Sequence, residues 1–117
     1  MTRRVVITGL GVVTAAGSGP GSFGKRGDGV SGIHRFDASQ FTRPVAGEAR
    51  SFDPRQFMSD KRVATTNRFT QLGLAAARMA YEDAGLAQGP EVSRVSVCFG
   101  SSTAAAPVTK QIAPSSS

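Results

Sequence analysis

The stretch from Ser59 to Leu86 constrains the fold more than any other part of the sequence. Ser59 is a candidate helix N-cap, with Asp60 in the first turn, where a carboxylate complements the exposed backbone N–H groups. From there to Leu86 the chain reads as helical, either unbroken or as two pieces divided near Thr65-Thr66. Phe69, Leu72, Ala76, Met79 and Ala80 recur at i, i+3, i+7, i+10 and i+11, so they share one face of a 3.6-residue helix. Gly73, Ala76, Ala77 and Ala80 are small, which predicts that the helix lies close against a sheet. Gly85 stands at the C′ position, where a left-handed residue ends a helix.

Two β-prone runs flank this helix at a distance. Arg4-Val5-Val6-Ile7-Thr8 is largely β-branched, ends at Gly9 and predicts a buried strand. Arg94 to Phe99 alternates and then turns apolar, which predicts a second core strand ended by Gly100-Ser101-Ser102. Val45-Ala46-Gly47-Glu48-Ala49 predicts a short edge strand. Phe52-Asp53-Pro54 is a turn signal, because Pro fixes its own φ and restricts the residue before it. Residues 15–21 are a loop by composition. Residues 22–32 hold four glycines, each costing a helix interior about 1 kcal/mol, so no helix is expected there. The order strand, loop, long helix, strand predicts an α/β layer packing. Residues 104–117 have no periodicity and are expected to be disordered.

Composition narrows the function classes. A chain of 117 residues suits one small domain, and a hydrophobic fraction of 39% allows only a modest core. One cysteine excludes an intramolecular disulfide. No apolar run approaches the roughly 20 residues that span a bilayer. The basic N-terminus is followed by an apolar stretch broken by Gly9 and Gly11, unlike a signal peptide. The expectation is a soluble, cytoplasmic protein with no membrane partner. The formal net charge is +6, from 11 Arg and 3 Lys against 8 acidic residues. The arginines are spread from Arg3 to Arg94, and one Tyr with no Trp leaves few stacking platforms, so no nucleic-acid partner is expected. An acidic protein partner fits the charge.

The candidate motifs mostly have structural readings. Gly9-Leu10-Gly11 follows a predicted strand, but a dinucleotide-binding turn needs a third Gly where this chain has Thr14. A tight turn leaving a core strand accounts for it. Cys98 falls within an apolar strand pattern and reads as core packing. A reactive thiol wants an electropositive, partly exposed setting and a base. The one histidine, His34, lies in a loop and reads as a surface residue. One Cys and one His do not make a four-ligand zinc site. Ser101-Ser102-Thr103 lacks the surrounding glycines of a nucleophile elbow. Glu82 and Asp83 are adjacent on a helix and so point apart. Lys61-Arg62 reads first as a solvated pair. Residue chemistry alone therefore presents no catalytic residue, no metal site and no cofactor.

Five stretches in order resemble the opening of the elongating β-ketoacyl-acyl-carrier-protein synthases, including the type II polyketide ketosynthases. They are Arg3–Gly17, Val30–Ile33 with Phe36–Phe41 and Val45–Glu48, Phe52–Pro54 with Phe57–Ser59, Arg68–Leu86, and Val95–Ser101. The resemblance runs from residue 3 to about 103. It implies the incomplete N-terminal part of a thiolase-like fold, in which two related α/β halves stack in layers. For the full enzyme it implies decarboxylative Claisen condensation through a Cys nucleophile and two His residues, usually in a dimer. Those residues fall beyond the matched stretches, so no catalytic role passes to Cys98 or His34. The family also places a basic cluster at a helix start to meet the acidic acyl carrier protein. Lys61 matches that pattern and Arg62 adjoins it, with Arg68 nearby, while the next basic positions of the family appear here as Ala64 and Thr65. Phe23–Gly29 departs from the family, which has Phe-Trp and a Leu-rich helix there.

Three readings follow from the resemblance. The chain is a ketosynthase segment that is inactive alone, a non-catalytic module that binds acyl carrier protein, or a segment of a chain-length-factor-like paralogue. Residues 1–103 are expected to form a partial ketosynthase domain and residues 104–117 a divergent tail.

Overall fold

The computed structural model describes residues 2–22, 29–86 and 92–101. Its best-formed part is the helical region. Helix α1 spans Asp60–Thr65, and the Ser59 hydroxyl accepts from the Arg62 amide at 3.5 Å. Thr66 then turns to an extended conformation (φ −116°, ψ 149°), so the predicted division near Thr65-Thr66 is real. Helix α2 spans Arg68–Asp83 and is capped by Asn67, whose Oδ1 accepts from the Thr70 amide at 3.3 Å. Ala84 closes it and Gly85 follows at φ +68°, a conformation that costs glycine nothing.

The junction between the helices is held by a buried polar side chain. Gln71 Nε2 donates to the carbonyl oxygens of Val63 at 3.0 Å and Thr66 at 3.1 Å. It thereby satisfies acceptors that the end of α1 would otherwise leave unpaired. Gln71 and Ala75 are the buried positions of α2. The packing face is therefore offset from the predicted one, and Phe69 is 44% exposed.

Two small antiparallel pairs make up the strands. β1 (Val13–Thr14) pairs with β2 (Gly17–Ser18), matching Val13 with Ser18 and Thr14 with Gly17. β3 (Val30–Gly32) pairs with β4 (Val45–Gly47), matching Val30 with Gly47 and Gly32 with Val45. β4 is the predicted edge strand, shortened by two residues. Glu48, just after it, accepts from the His34 amide at 3.1 Å and the Arg35 amide at 3.1 Å, and pairs with Arg50 Nε at 3.1 Å. Arg50 also donates to the Ser31 hydroxyl at 2.8 Å and to the Gly32 carbonyl. This pair of side chains ties the loop after β3 to the end of β4.

A second cluster joins this region to α2. Phe52 is buried, with Phe57 stacked on it at 5.9 Å and the Arg68 guanidinium 4.9 Å from its ring centre. Asp53 caps a short 3-10 turn over Pro54–Gln56, as its position before Pro predicts. Arg68 Nη2 donates to the Ala49 carbonyl at 2.7 Å, and Arg78 Nη1 to the Phe57 carbonyl at 2.9 Å.

Two expectations are corrected. Residues 4–8 and 95–99 form no ladder, and Val5 is 92% and Val97 77% exposed. Cys98, read as core, is exposed. The cause is the same in both cases: a strand needs a hydrogen-bonded neighbour, and the described residues supply none. The N-terminal segment is nevertheless docked. Gly9 and Gly11 lie directly on α2, where a Cβ on Gly11 would overlap the Ala76 carbonyl and stand 2.7 Å from the Ala80 amide nitrogen. The small residues of α2 permit this approach, which accounts for two glycines read from sequence as a tight turn. The expected tail at 104–117 and most of the departure at 23–29 lie outside the described residues.

Candidate functional site

Lys61 and Arg62 occupy the first turn of α1, and both are exposed. Among the described residues neither enters an ion pair. Arg55, from the turn before Ser59, reaches the same place, with its Nε 3.8 Å from Asp60 Oδ1. Sequence reading missed Arg55, since only the turn at Asp53-Pro54 brings it beside α1. Arg55, Lys61 and Arg62 thus bring three exposed cations to the start of α1, with Arg55 beside Asp60.

Arg68 does not belong to that set. It is turned inward onto Phe52 and the Ala49 carbonyl. Burial, aided by the like charge of Arg35, lowers the pKa of its guanidinium from the ordinary value. An arginine stays charged under such a shift, and its role here is to hold the 49–57 loop on α2.

Cys98 and His34 are not joined by any hydrogen bond among the described residues, and His34 engages Glu48 through its backbone amide. No group of three His, Cys, Asp or Glu side chains that could hold a metal ion occurs among the described residues. Cys98 lines a shallow space over Ala76, Ala77 and Ala80, which Tyr81 also lines, its hydroxyl donating to the Leu86 carbonyl at 3.1 Å. None of the described residues that line it is a base able to activate a thiol. Beside it runs a wider groove of about 680 Å³ between α2 and residues 97–101, lined by Phe69, Leu72, Leu74, Ala77, Val97 and Phe99 and almost wholly apolar. No helix among the described residues is long and apolar enough to cross a membrane.

An α/β segment with two helices, exposed cations at the start of α1 and no catalytic pair among the described residues does not by itself name a function. What separates them is the order of its motifs along the chain. Residues 2–116 match the family described as Beta-ketoacyl synthase, N-terminal domain. The chain belongs to the β-ketoacyl synthase family. The match continues past residue 103, where the recognisable motifs stop, almost to the last residue. The chain is 42% identical over 106 residues to a 3-oxoacyl-[acyl-carrier-protein] synthase 2 of Coxiella burnetii, an alignment covering 85% of this chain and 25% of that protein. It is 40% identical over 119 residues to the granaticin polyketide putative beta-ketoacyl synthase 1 of Streptomyces violaceoruber, covering 91% of this chain and 26% of that protein. It is 36% identical over 104 residues to a 3-oxoacyl-[acyl-carrier-protein] synthase 2 of Vibrio cholerae. This β-ketoacyl synthase chain spans about a quarter of the length of these relatives.

Proposed function

We propose that the chain serves a β-ketoacyl-acyl-carrier-protein synthase, as the N-terminal segment of a thiolase-like condensing enzyme that extends acyl thioesters by decarboxylative Claisen condensation. The observation that carries this reading is the family match over residues 2–116. The relatives include both 3-oxoacyl-[acyl-carrier-protein] synthases and polyketide β-ketoacyl synthases, which supports an acyl thioester of fatty acid or polyketide synthesis as the substrate class. The chain contributes framework and a docking rim rather than the reacting groups. Among the described residues Cys98 lies without a base beside it, and no residue of the chain is assigned the part of nucleophile or enolate-stabilising His. The segment by itself is therefore inactive.

Lys61 and Arg62 are the residues assigned to acyl carrier protein. Their exposure, and the lack of ion-pair partners among the described residues, support the assignment. Each exposed charge pair contributes about 0–1 kcal/mol, so binding is weak and governed more by association rate than by contact energy. Titration of a labelled acyl carrier protein with the full chain tests this. Amide shifts on an acidic helix of the carrier are expected, falling away as salt rises past about 0.1 M, where the screening length is about 10 Å. Binding that ignores Lys61→Glu, or that persists unchanged in high salt, would contradict it. Supplied with acyl- and malonyl-carrier substrates, the chain is expected to give no condensation product. Turnover abolished by Cys98→Ala would assign Cys98 a role denied to it here.

A further inference from the structure

Helix α1 carries Lys61 and Arg62 but buries none of its own six residues. A helix this short has little stability by itself, because nucleation costs more than one turn of hydrogen bonds returns. Its orientation therefore depends on what ties it to the rest of the chain. At its start the ties are weak. The Ser59 hydroxyl accepts from the Arg62 amide at 3.5 Å, the outer limit of a hydrogen bond, and Arg55 meets Asp60 at 3.8 Å with both side chains exposed. At its end the Thr65 and Thr66 hydroxyls donate back to the Lys61 and Arg62 carbonyls, within the same turn. Gln71 is different. It lies on α2, is 7% exposed, and spends both protons of its amide nitrogen on the Val63 carbonyl at 3.0 Å and the Thr66 carbonyl at 3.1 Å. Among the described residues it is the side chain that bonds the end of α1 to α2.

We propose that Gln71 is a positioning residue for the carrier-protein contact: by locking the end of α1 onto α2, it fixes where Lys61 and Arg62 stand. The proposal rests on the reading of Lys61 and Arg62 as the residues that meet acyl carrier protein. Gln71, buried at the junction, acts only through them. Without its two bonds the Val63 and Thr66 carbonyls lose their buried partner and α1 frays. The two cations then lose their fixed separation and direction, and a carrier protein has to order them as it binds, which weakens binding. The coupling runs both ways. A carrier that prefers the locked arrangement must itself strengthen the lock.

The test is a titration of isotope-labelled acyl carrier protein with the full chain and its variants. Gln71→Met keeps a long, helix-favouring side chain and removes both donors, and circular dichroism checks that α2 persists. Carrier binding is expected to weaken about two- to tenfold, the range spanned by one intramolecular hydrogen bond. Lys61→Ala with Arg62→Ala is expected to weaken binding too, and adding Gln71→Met to that pair is expected to weaken it no further. Gln40→Ala, in an exposed turn, serves as the control and is expected to change nothing. A second measurement uses the unaltered chain and so does not depend on how any variant folds. Saturation with carrier protein is expected to slow exchange of the Gln71 side-chain amide and the Val63 backbone amide about twofold or more, with the amides of residues 80–83 unchanged. Full-strength binding by Gln71→Met, an equal loss from it when Lys61 and Arg62 are already replaced, or exchange at Gln71 that is unchanged or slowed equally along all of α2 would each overturn the proposal. Binding indifferent to the Lys61 and Arg62 replacements, or no binding by the unaltered chain, would instead overturn the docking assignment, and the proposal with it.

Discussion

The backbone amide of Leu10 donates to Asp83 Oδ2 at 2.9 Å, joining positions 73 residues apart in sequence. This bond pins the N-terminal segment to the last turn of α2, alongside the close contacts of Gly9 and Gly11. It shows how the segment is held although no strand among the described residues pairs with it.

Asp83→Ala separates this tether from the helix that carries it. A carboxylate at a helix C-terminus opposes the macrodipole, so removing it leaves α2 as helical as before or slightly more so. The tether, an intramolecular hydrogen bond, contributes about 0.5–1.5 kcal/mol. Amide exchange is expected to quicken at Leu10 while circular dichroism at 222 nm holds or deepens. Unchanged exchange at Leu10 would mean that the glycine contacts alone fix the segment.

Gly11→Ala attacks the same docking from the other side. The added methyl group meets the Ala76 carbonyl, part of a helix backbone that has little room to give. Overpacking of this kind costs about 1–3 kcal/mol. Loss of nuclear Overhauser contacts between residues 9–11 and Ala76–Ala80 is the expected result. Gly21→Ala, with nothing within 4 Å of the added carbon, is the control and should leave those contacts intact.

Glu48 makes the β3–β4 region sensitive to acid. Desolvation raises the pKa of its carboxyl, but the amides of His34 and Arg35 and the Arg50 guanidinium outweigh it, so the folded value lies below the ordinary 4.5. A depressed carboxylate pKa means the folded state binds fewer protons than the unfolded one. The contribution is therefore fully present above about pH 4.5 and is lost as pH falls through the depressed value. The amide shifts of His34 and Arg35 are expected to titrate together, with a midpoint below 4.5. In Glu48→Gln that joint titration should vanish. A midpoint at or above the ordinary value would show that desolvation prevails.

The helical half of the structure was legible because its signals are local. Ser59, the Thr65-Thr66 division and Gly85 each act on the turn beside them, and each appears where the sequence places it. The packing face of α2 was less legible. Gln71, a polar residue, is buried because it bonds two carbonyls at the end of α1, which no hydropathy pattern reveals. Arg68 reads as a surface cation until Phe52 and Ala49 are seen beside it. The strands were the least legible. Val5–Thr8 and Val95–Phe99 have strand composition, but pairing is a property of two segments, and here the second segment is missing from the described residues. Lys61 and Arg62 were found through family motifs alone, because an exposed basic pair looks the same whether or not a partner meets it.

The central claim is that this chain is a β-ketoacyl synthase segment in which residues 4–8 and 95–99 form no ladder among the described residues. Ordering the chain costs about 1–2 kcal/mol per residue in backbone entropy, and with only Ala38, Phe52 and Ala75 as buried apolar side chains among the described residues, burial offsets little of it. Urea unfolding of the isolated chain, followed by amide exchange at monomer concentration, measures this directly. The account predicts a broad, weakly cooperative transition, modest protection in α2 and none in residues 4–8 and 95–99. A sharp cooperative transition with protected amides in both segments, at monomer mass, would contradict it and show a self-sufficient domain.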